Sequence, residues 1–307
     1  MTRAVVFAYH DVGCRCLGVL HDQGVEVPLV VTHADDPKEN LWFGSVAALA
    51  RARGIETVTP GDPNAAEPVA KVRALKPDFL FSFYYRSMLG RALLTIPTRG
   101  AYNMHGSLLP KYRGRAPVNW AVLHGETQTG ATLHEMVVKP DAGRIVDQEA
   151  VPILADDRAV EVFGKVTGAA ERVLARSLPG LLDGSAVLRP QDLSKGSYFG
   201  GRRPEDGRID WGQPAKRIHD LVRAVAPPYP GAFTDLEGKR LRVLRTRLLP
   251  QQDAARASAF LHAQAGHCLV ACVDGGALEV LELELDGKAL SAQEFAKRIG
   301  IRRIAML

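Results

Sequence analysis

Cysteine is scarce in this chain. The 307 residues carry four, set as Cys14-x-Cys16 and Cys268-x3-Cys272. Neither spacing is that of a zinc ribbon or a CxxC redox pair, which excludes a disulfide scaffold and points to reduced thiols in a cytoplasmic setting. Long apolar runs are missing as well. Stretches such as 4–9 and 29–31 fall far short of the roughly 18 residues that a membrane span requires, so no membrane insertion is expected. The opening MTRAVVFAYHD runs straight into an apolar strand, without an h-region or a small-residue cleavage site, so no secretory leader is expected. There is no internal repeat and no low-complexity segment. Also absent are a G-x-G-x-x-G after the first strand, a P-loop, an H-E-x-x-H and a G-x-S-x-G. The chain therefore lacks the glycine cradles that hold the phosphates of NAD or ATP. What remains is a composition of 46% hydrophobic and 24% charged residues, ordinary for a globular protein. At about 150 residues per domain, the length suggests two domains.

Net charge is +5, and its location matters more than its size. Residues 201–307 hold 17 Lys/Arg against 13 Asp/Glu, while the first 200 are nearly balanced. The excess is densest over Lys239-Arg240-Leu241-Arg242-Val243-Leu244-Arg245-Thr246-Arg247. Such a run draws in polyanions or blunts an exposed edge strand, and the sequence leaves both readings open.

Strand and helix signals alternate through the first half. Strands are expected at 4–8, 29–32, 55–58, 79–83 and 101–104, with helices at 14–23, 45–53 and 67–75 between the first four. That order predicts right-handed βαβ units in a parallel α/β sheet, where ligands gather at the carboxyl ends of the strands. A helix at 119–123, strands at 131–138 and 146–153 and a long helix at 160–182 follow. The stretch 194–207 (SKGSYFGGRRPEDG) reads as a linker or ordered surface loop. Beyond it come a helix at 214–224 and short strands at 232–235, 240–248, 268–273 and 277–284, the pattern of a small β-barrel. A helix at 291–299 closes the chain.

One segment concentrates chemistry: Asn103-Met104-His105-Gly106-Ser107-Leu108-Leu109-Pro110-Lys111-Tyr112-Arg113-Gly114-Arg115-Ala116-Pro117. A buried strand ends there, and a spacing of two puts Asn103 and His105 on one face. Gly106 and Gly114 permit unusual backbone angles, and Pro110 and Pro117 stiffen the loop. Lys139-Pro140-Asp141-Ala142-Gly143 sets a carboxylate in a second tight turn. An amide, an imidazole and a carboxylate at strand ends make a candidate catalytic constellation.

NMHGSLLPKYRGRAP, followed by GATLHEMVVKPDAGRIV, resembles the folate-dependent formyltransferases, a family that includes methionyl-tRNA formyltransferase and several sugar N-formyltransferases. The likeness extends over nearly the whole chain, with the IDW of 209–211, RAV of 223–225 and PYPGAF of 228–233 similar to the family's C-terminal barrel. FAYHDVG, FSFYYR and FGGRRPEDG look most like the branch that acts on UDP-4-amino-4-deoxy-L-arabinose. FGGRRPEDG departs from that branch's pattern, because Gly201 displaces the arginine pair by one residue. The resemblance implies a Rossmann-like formyltransferase domain at 1–200 and an OB-like β-barrel domain at 201–307. In fused relatives a dehydrogenase/decarboxylase domain follows. The chain ends at Leu307, so a stand-alone enzyme is expected, as a monomer or weak homo-oligomer.

By the same resemblance, the reaction moves the formyl group of 10-formyltetrahydrofolate to the amine of a UDP-linked amino sugar, for lipid A modification and cationic-peptide (polymyxin) resistance. Asn103 would donate N–H to the tetrahedral oxyanion. His105 would carry the proton, with Asp141 favouring its imidazolium. No metal is called for. Ser87, Met88, Leu89, Arg115 and the backbone of Val137, Val138, Lys139 and Pro140 would hold the folate. For Met88 and Leu89, ordinary core packing would look the same in sequence. His10, Tyr84, Tyr85 and Arg86 are expected near the acceptor or folate. Arg202 and Arg203 would either grip a diphosphate or belong to a solvated linker. His134 reads as packing or a supporting contact.

Two rivals stay within the family, a dTDP-amino-sugar formyltransferase and methionyl-tRNA formyltransferase. Against the second stands ADDPKENLWFG, where Asp35, Asp36 and Glu39 oppose a single Lys38. An acidic loop repels phosphate, so no nucleic-acid partner is expected. A non-catalytic binding protein on the same scaffold would be free to lack Asn103, His105 and Asp141, which are all present.

Overall fold

A computed structural model describes residues 1–37, 39–250, 254–255 and 257–306, so Lys38 lies outside the described residues. The elements, in chain order, are β1 (Arg3–Ala8), α1 (His10–Asp22), β2 (Glu26–Val31), α2 (Val46–Ala52), β3 (Glu56–Val58), α3 (Ala66–Ala74), β4 (Phe79–Phe83), α4 (Arg91–Leu94), β5 (Gly100–His105), β6 (Arg113–Gly114), α5 (Pro117–Leu123), β7 (Gln128–Glu135), β8 (Ile145–Pro152) and α6 (Ala159–Asp183). Then follow β9 (Tyr198–Phe199), α7 (Ala215–Val225), β10 (Ala232–Leu236), β11 (Lys239–Leu249), β12 (Ala259–Gln264), β13 (His267–Ala271), β14 (Ala277–Leu285), β15 (Lys288–Ser291), α8 (Ala292–Ile299) and β16 (Arg303–Met306). They form two compact units: residues 1–117, 128–151 and 163–200, and residues 118–127, 152–162 and 201–307.

The first unit is a seven-stranded sheet of order β3-β2-β1-β4-β5-β7-β8. β1 and β4 are almost wholly apolar because side chains are buried on both of their faces, as parallel strands require. Phe7, Leu29, Val31, Leu80 and Leu93 pack into one buried cluster. α2 starts where it does because the Ser45 hydroxyl accepts from the Ala48 N–H. The sheet is not parallel throughout: β7 runs antiparallel to β5. The chain turns over 106–127 at the end where β5 stops, so β7 must run back beside it. α1 begins at His10, not at residue 14, which places His10 and Asp11 in its first turn. β7 ends at Glu135, three residues earlier than the apolar run suggests, and leaves Val137 and Val138 outside the ladder.

In the second unit a curled antiparallel sheet has the order β10-β11-β14-β13-β12-β16, with β15 on β14. β12, β15 and β16 escape the sequence pattern because they are short and mix polar with apolar residues. The basic run is not a blunted edge. It lies in β11, between β10 and β14, and its arginines face a ladder of carboxylates. Arg242 meets Glu284 at 3.0 Å, and Arg245 meets Glu282 and Arg247 meets Glu279, each at 3.3 Å. Opposite charges set directly across a strand pair stabilise the pairing and compensate each other. The 194–207 stretch is ordered, with 3-10 turns at Leu193–Lys195 and Pro204–Gly207 flanking β9, which pairs with β6.

Among the described residues no helix is long and apolar enough to cross a membrane.

Candidate active site

β5 carries the chemistry because it lies between two different neighbours. Asn103 stands opposite Ser82 on β4 and opposite His134 on β7, and His105 stands opposite Thr132. Directly opposed residues project from the same side of a sheet, so Asn103, His105, Thr132 and His134 share one face. The strand period alone places the first two together; the antiparallel register adds the others.

Asp141 comes to this face from the turn between β7 and β8, with a backbone φ of +50°. Its Oδ2 accepts from the Gly114 N–H at 2.8 Å. Its Oδ1 lies 3.5 Å from His134 Nε2 and 3.7 Å from His105 Nδ1. Burial acts to raise the carboxyl pKa, but the charge of His105, the nearby His134 ring and the Gly114 N–H hold it well below the usual carboxylate range. The backbone of the turn is held by Gln191, whose Nε2 donates to the carbonyls of Asp141 and Gly143 at 3.0 and 2.6 Å.

Both nitrogens of His105 face acceptors, with Nε2 2.8 Å from the Tyr112 carbonyl. The loop that supplies this carbonyl is fixed internally. Ser107 donates to Lys111 O at 2.6 Å, and Thr132 donates to Ser107 O at 2.6 Å while accepting from the Leu109 N–H. Gly114 has φ +98°, and a Cβ there would lie 2.2 Å from the Phe199 carbonyl, so the position demands glycine twice over. Gly106 is different. Its backbone is not in the left-handed region, and a Cβ there would fall 1.8 Å from the Tyr84 hydroxyl, so a larger residue would have to displace that side chain.

Tyr84 thus covers the residue that follows His105. Its ring lies 5.5 Å from Phe163 and 6.5 Å from His10. His10 is enclosed by aromatic rings: stacked on Phe43 at 3.9 Å, with Phe163 at 4.5 Å and Trp42 at 4.6 Å. Burial pushes its imidazole down to about 4, so it is neutral at pH 7. The Asp11 N–H donates to Nδ1 at 2.9 Å, which leaves the proton on Nε2. Trp42 and Phe43 carry no periodic signal in sequence, and their association with His10 is a product of the 33–44 loop.

Hydrogen bonds tie that loop down along its length. Tyr9 donates to Asp35 at 3.0 Å, Arg86 makes a two-pronged pair with Glu39 at 2.6 and 2.7 Å, and Asp11 accepts from the Gly44 N–H at 2.7 Å. The expected electrostatic barrier of this loop is therefore weaker than its composition implies, since Arg86 compensates Glu39. Arg86 also lies over the Tyr9 ring at 4.7 Å, and its N–H donates to His33. Tyr85, expected beside a ligand, is instead a core residue. Its ring stacks on His33 at 4.1 Å and meets Phe7 edge-on at 5.4 Å, because the backbone turn at Tyr84 (φ +58°) sends the next side chain inward.

The ambiguity at 88–89 resolves residue by residue. Leu89 is 7% exposed and joins the core cluster, whereas Met88 is 57% exposed. Ser87 is half-buried, and Arg115 is exposed with its N–H bonded to the Phe199 carbonyl. Val137 and Val138 are exposed, as is Lys139, with Pro140 partly so. In the second unit, Arg202 lies over the Trp120 ring at 4.7 Å and donates to the Asp206 carbonyl. Arg203 donates its backbone N–H to the Asp206 carboxylate at 2.7 Å, so both arginines lie at an ordered turn, with the Arg203 side chain exposed.

An amide donor, two imidazoles and an ionised carboxylate on one sheet face can stabilise a developing oxyanion and move a proton. Among the described residues no group of His, Cys, Asp or Glu is arranged to hold a metal.

Residues 14–178 match the family described as formyl transferase, and residues 202–300 match the formyl transferase C-terminal domain. The fold is similar to that of an N-formyltransferase from Helicobacter canadensis solved with folinic acid and dTDP-3-aminofucose, at 18% identity and a TM-score of 0.73, over 91% of this chain and 99% of that one. It is similar to WlaRD, a sugar 3N-formyl transferase solved in the presence of dTDP and 5-N-formyl-THF, at 18% identity and 0.73, over 91% and 97%. HypX from Aquifex aeolicus, solved with tetrahydrofolic acid, matches at 17% identity and 0.62, over 97% of this chain and 47% of that longer one.

Proposed function

This chain belongs to the formyl transferase family, and from that premise we propose that it transfers the formyl group of 10-formyltetrahydrofolate to the 4-amino group of UDP-4-amino-4-deoxy-L-arabinose. The observation that carries the reading is the meeting of Asn103, His105 and Asp141 at the end of β5. Their chemistry fits a formyl donor, which needs a hydrogen-bond donor for its oxygen and a proton relay between two nitrogens.

In this reading the acceptor amine attacks the formyl carbon as a C–N bond forms. Asn103 donates an amide N–H to the oxygen as negative charge develops on it. His105 takes the proton the amine must lose and returns it to the folate nitrogen as the old C–N bond breaks. Asp141, ionised across the working range, holds His105 and the Gly114 backbone in register. The exposed backbone at Val137, Val138, Lys139 and Pro140, with Ser87, Met88 and Arg115, forms the folate side. Tyr84 is assigned to the acceptor side, where aromatic surface suits the apolar face of a sugar ring, and the enclosed His10 supports that side from among Phe43, Phe163 and Trp42. We assign formyl transfer to residues 1–200 and a supporting role to 201–307. Arg202 and Arg203 are the candidates for the diphosphate.

A second reading, a dTDP-linked amino-sugar acceptor, is favoured by the Helicobacter canadensis enzyme, whose structure holds dTDP-3-aminofucose. The motifs FSFYYR and FGGRRPEDG favour UDP-4-amino-arabinose. One assay separates them: tetrahydrofolate release from 10-formyltetrahydrofolate with the UDP sugar, a dTDP-amino sugar or charged initiator tRNA as acceptor. Release with the UDP sugar supports the proposal. Release only with dTDP sugar selects the second reading, and release only with tRNA overturns both.

A further inference from the structure

His134 is 1% exposed and takes no part in the reaction as drawn above, yet it touches two of the three residues that do. Its Nε2 lies 3.1 Å from Asn103 Nδ2 and 3.5 Å from Asp141 Oδ1. Its Nδ1 lies 2.8 Å from the Glu135 carbonyl oxygen.

These contacts fix the ring's proton. A carbonyl only accepts, so Nδ1 carries the hydrogen and donates it to Glu135. In the neutral ring Nε2 then presents a lone pair. The two neighbours of Nε2 make opposite demands: Asn103 Nδ2 offers a hydrogen, while Asp141 would ask for one. The 3.1 Å contact is within hydrogen-bonding range and the 3.5 Å contact is at its limit, so the amide takes the lone pair.

We infer that His134 is a positioning residue that sets the orientation of the Asn103 amide. An asparagine side chain can turn over, exchanging its NH2 for its carbonyl at little intrinsic cost. Turned the wrong way, Asn103 would present an acceptor where the oxyanion needs a donor. By accepting one N–H of Nδ2, His134 penalises that flip, because the carbonyl of Asn103 would then face a lone pair. The second N–H of the same nitrogen is thereby held for the substrate oxygen. The antiparallel register makes this possible, since β7 sets His134 directly across from Asn103. The inference rests on the formyl-transfer reading for its kinetic consequence, but its structural content stands without it.

Two measurements test it. First, selectively 15N-labelled histidine and asparagine in the full chain report the His134 tautomer and the Asn103 side-chain amide by NMR. A hydrogen on Nδ1 with Nε2 unprotonated, and one Asn103 amide proton shifted and slow to exchange, are expected. In His134→Leu that proton loses its protection. A hydrogen on Nε2, or an Asn103 amide indifferent to His134→Leu, overturns the inference whether or not the enzyme accepts the proposed sugar. Second, with whichever acceptor releases tetrahydrofolate, His134→Leu lowers kcat about 10²-fold with KM for both substrates changed less than about twofold. His134→Gln, which keeps an acceptor near Nε2, recovers most of the loss and guards against a folding defect. In an Asn103→Ala background, His134→Leu costs nothing further. Losses that multiply in the double variant, or a loss confined to KM, overturn the positioning role. An absence of turnover with every acceptor refutes the proposed function instead and leaves the NMR result to decide His134.

Discussion

Asn103 and His134 illustrate what a single residue can and cannot disclose. The spacing that joins Asn103 to His105 is legible in sequence because side chains alternate along a strand. The part played by His134 is not, because it depends on which strand lies beside β5 and in which direction it runs. At this scale Asn103→Ala should lower kcat by about 10²–10³ with little change in KM, the cost of one oxyanion donor, as steady-state assays would show. A KM effect alone would contradict the role. His10 gives a pH prediction. Its folded pKa, about 4, lies below the ordinary 6.5. Between these values the unfolded chain binds a proton that the folded protein excludes. The stability His10 contributes is therefore complete above about pH 6.5 and declines as pH falls toward 4, by on the order of 3 kcal/mol. Denaturation midpoints at pH 7 and 4.5 should converge in His10→Phe relative to wild type. An equal drop in both proteins would show that His10 is not the titrating group.

Elements were read best where one force dominated. β1, β4 and α6 follow from apolar periodicity alone. The direction of β7 and the internal position of β11 do not, because strand order is decided by pairing between distant segments. Charge partners are hidden from composition in the same way. The basic run reads as an edge or a polyanion site, whereas its arginines pair with Glu279, Glu282 and Glu284, and within the acidic 35–39 loop Glu39 pairs with Arg86. The loop that carries Gly114 offers the sharpest prediction at this scale. Gly114→Ala meets both a positive φ and the Phe199 carbonyl, so it should destabilise the protein by about 1–3 kcal/mol and displace the N–H that holds Asp141. Thermal unfolding and kcat should fall together. Intact activity would mean that the loop does not govern the carboxylate.

For the whole molecule, the two-domain reading from length meets a chain whose compact units are not contiguous. The second unit gathers 118–127 and 152–162 with the C-terminal residues. Asn119 donates to the Ala224 carbonyl at 2.9 Å, His219 bonds to Ala155 O at 3.1 Å, and Arg223 donates to Asp157 O at 3.1 Å. A fragment of 201–307 alone loses all three, and should unfold without a cooperative transition in urea. A sharp, two-state transition for the fragment would show that these contacts are dispensable. The central claim, that the face shared by β5 and β7 is a formyl-transfer site, is tested most directly by a single turnover. Protein mixed with 10-formyltetrahydrofolate and UDP-4-amino-4-deoxy-L-arabinose should release tetrahydrofolate and yield the N-formylated sugar in equal amounts, and His105→Ala should abolish both. Undiminished turnover in His105→Ala would contradict the account.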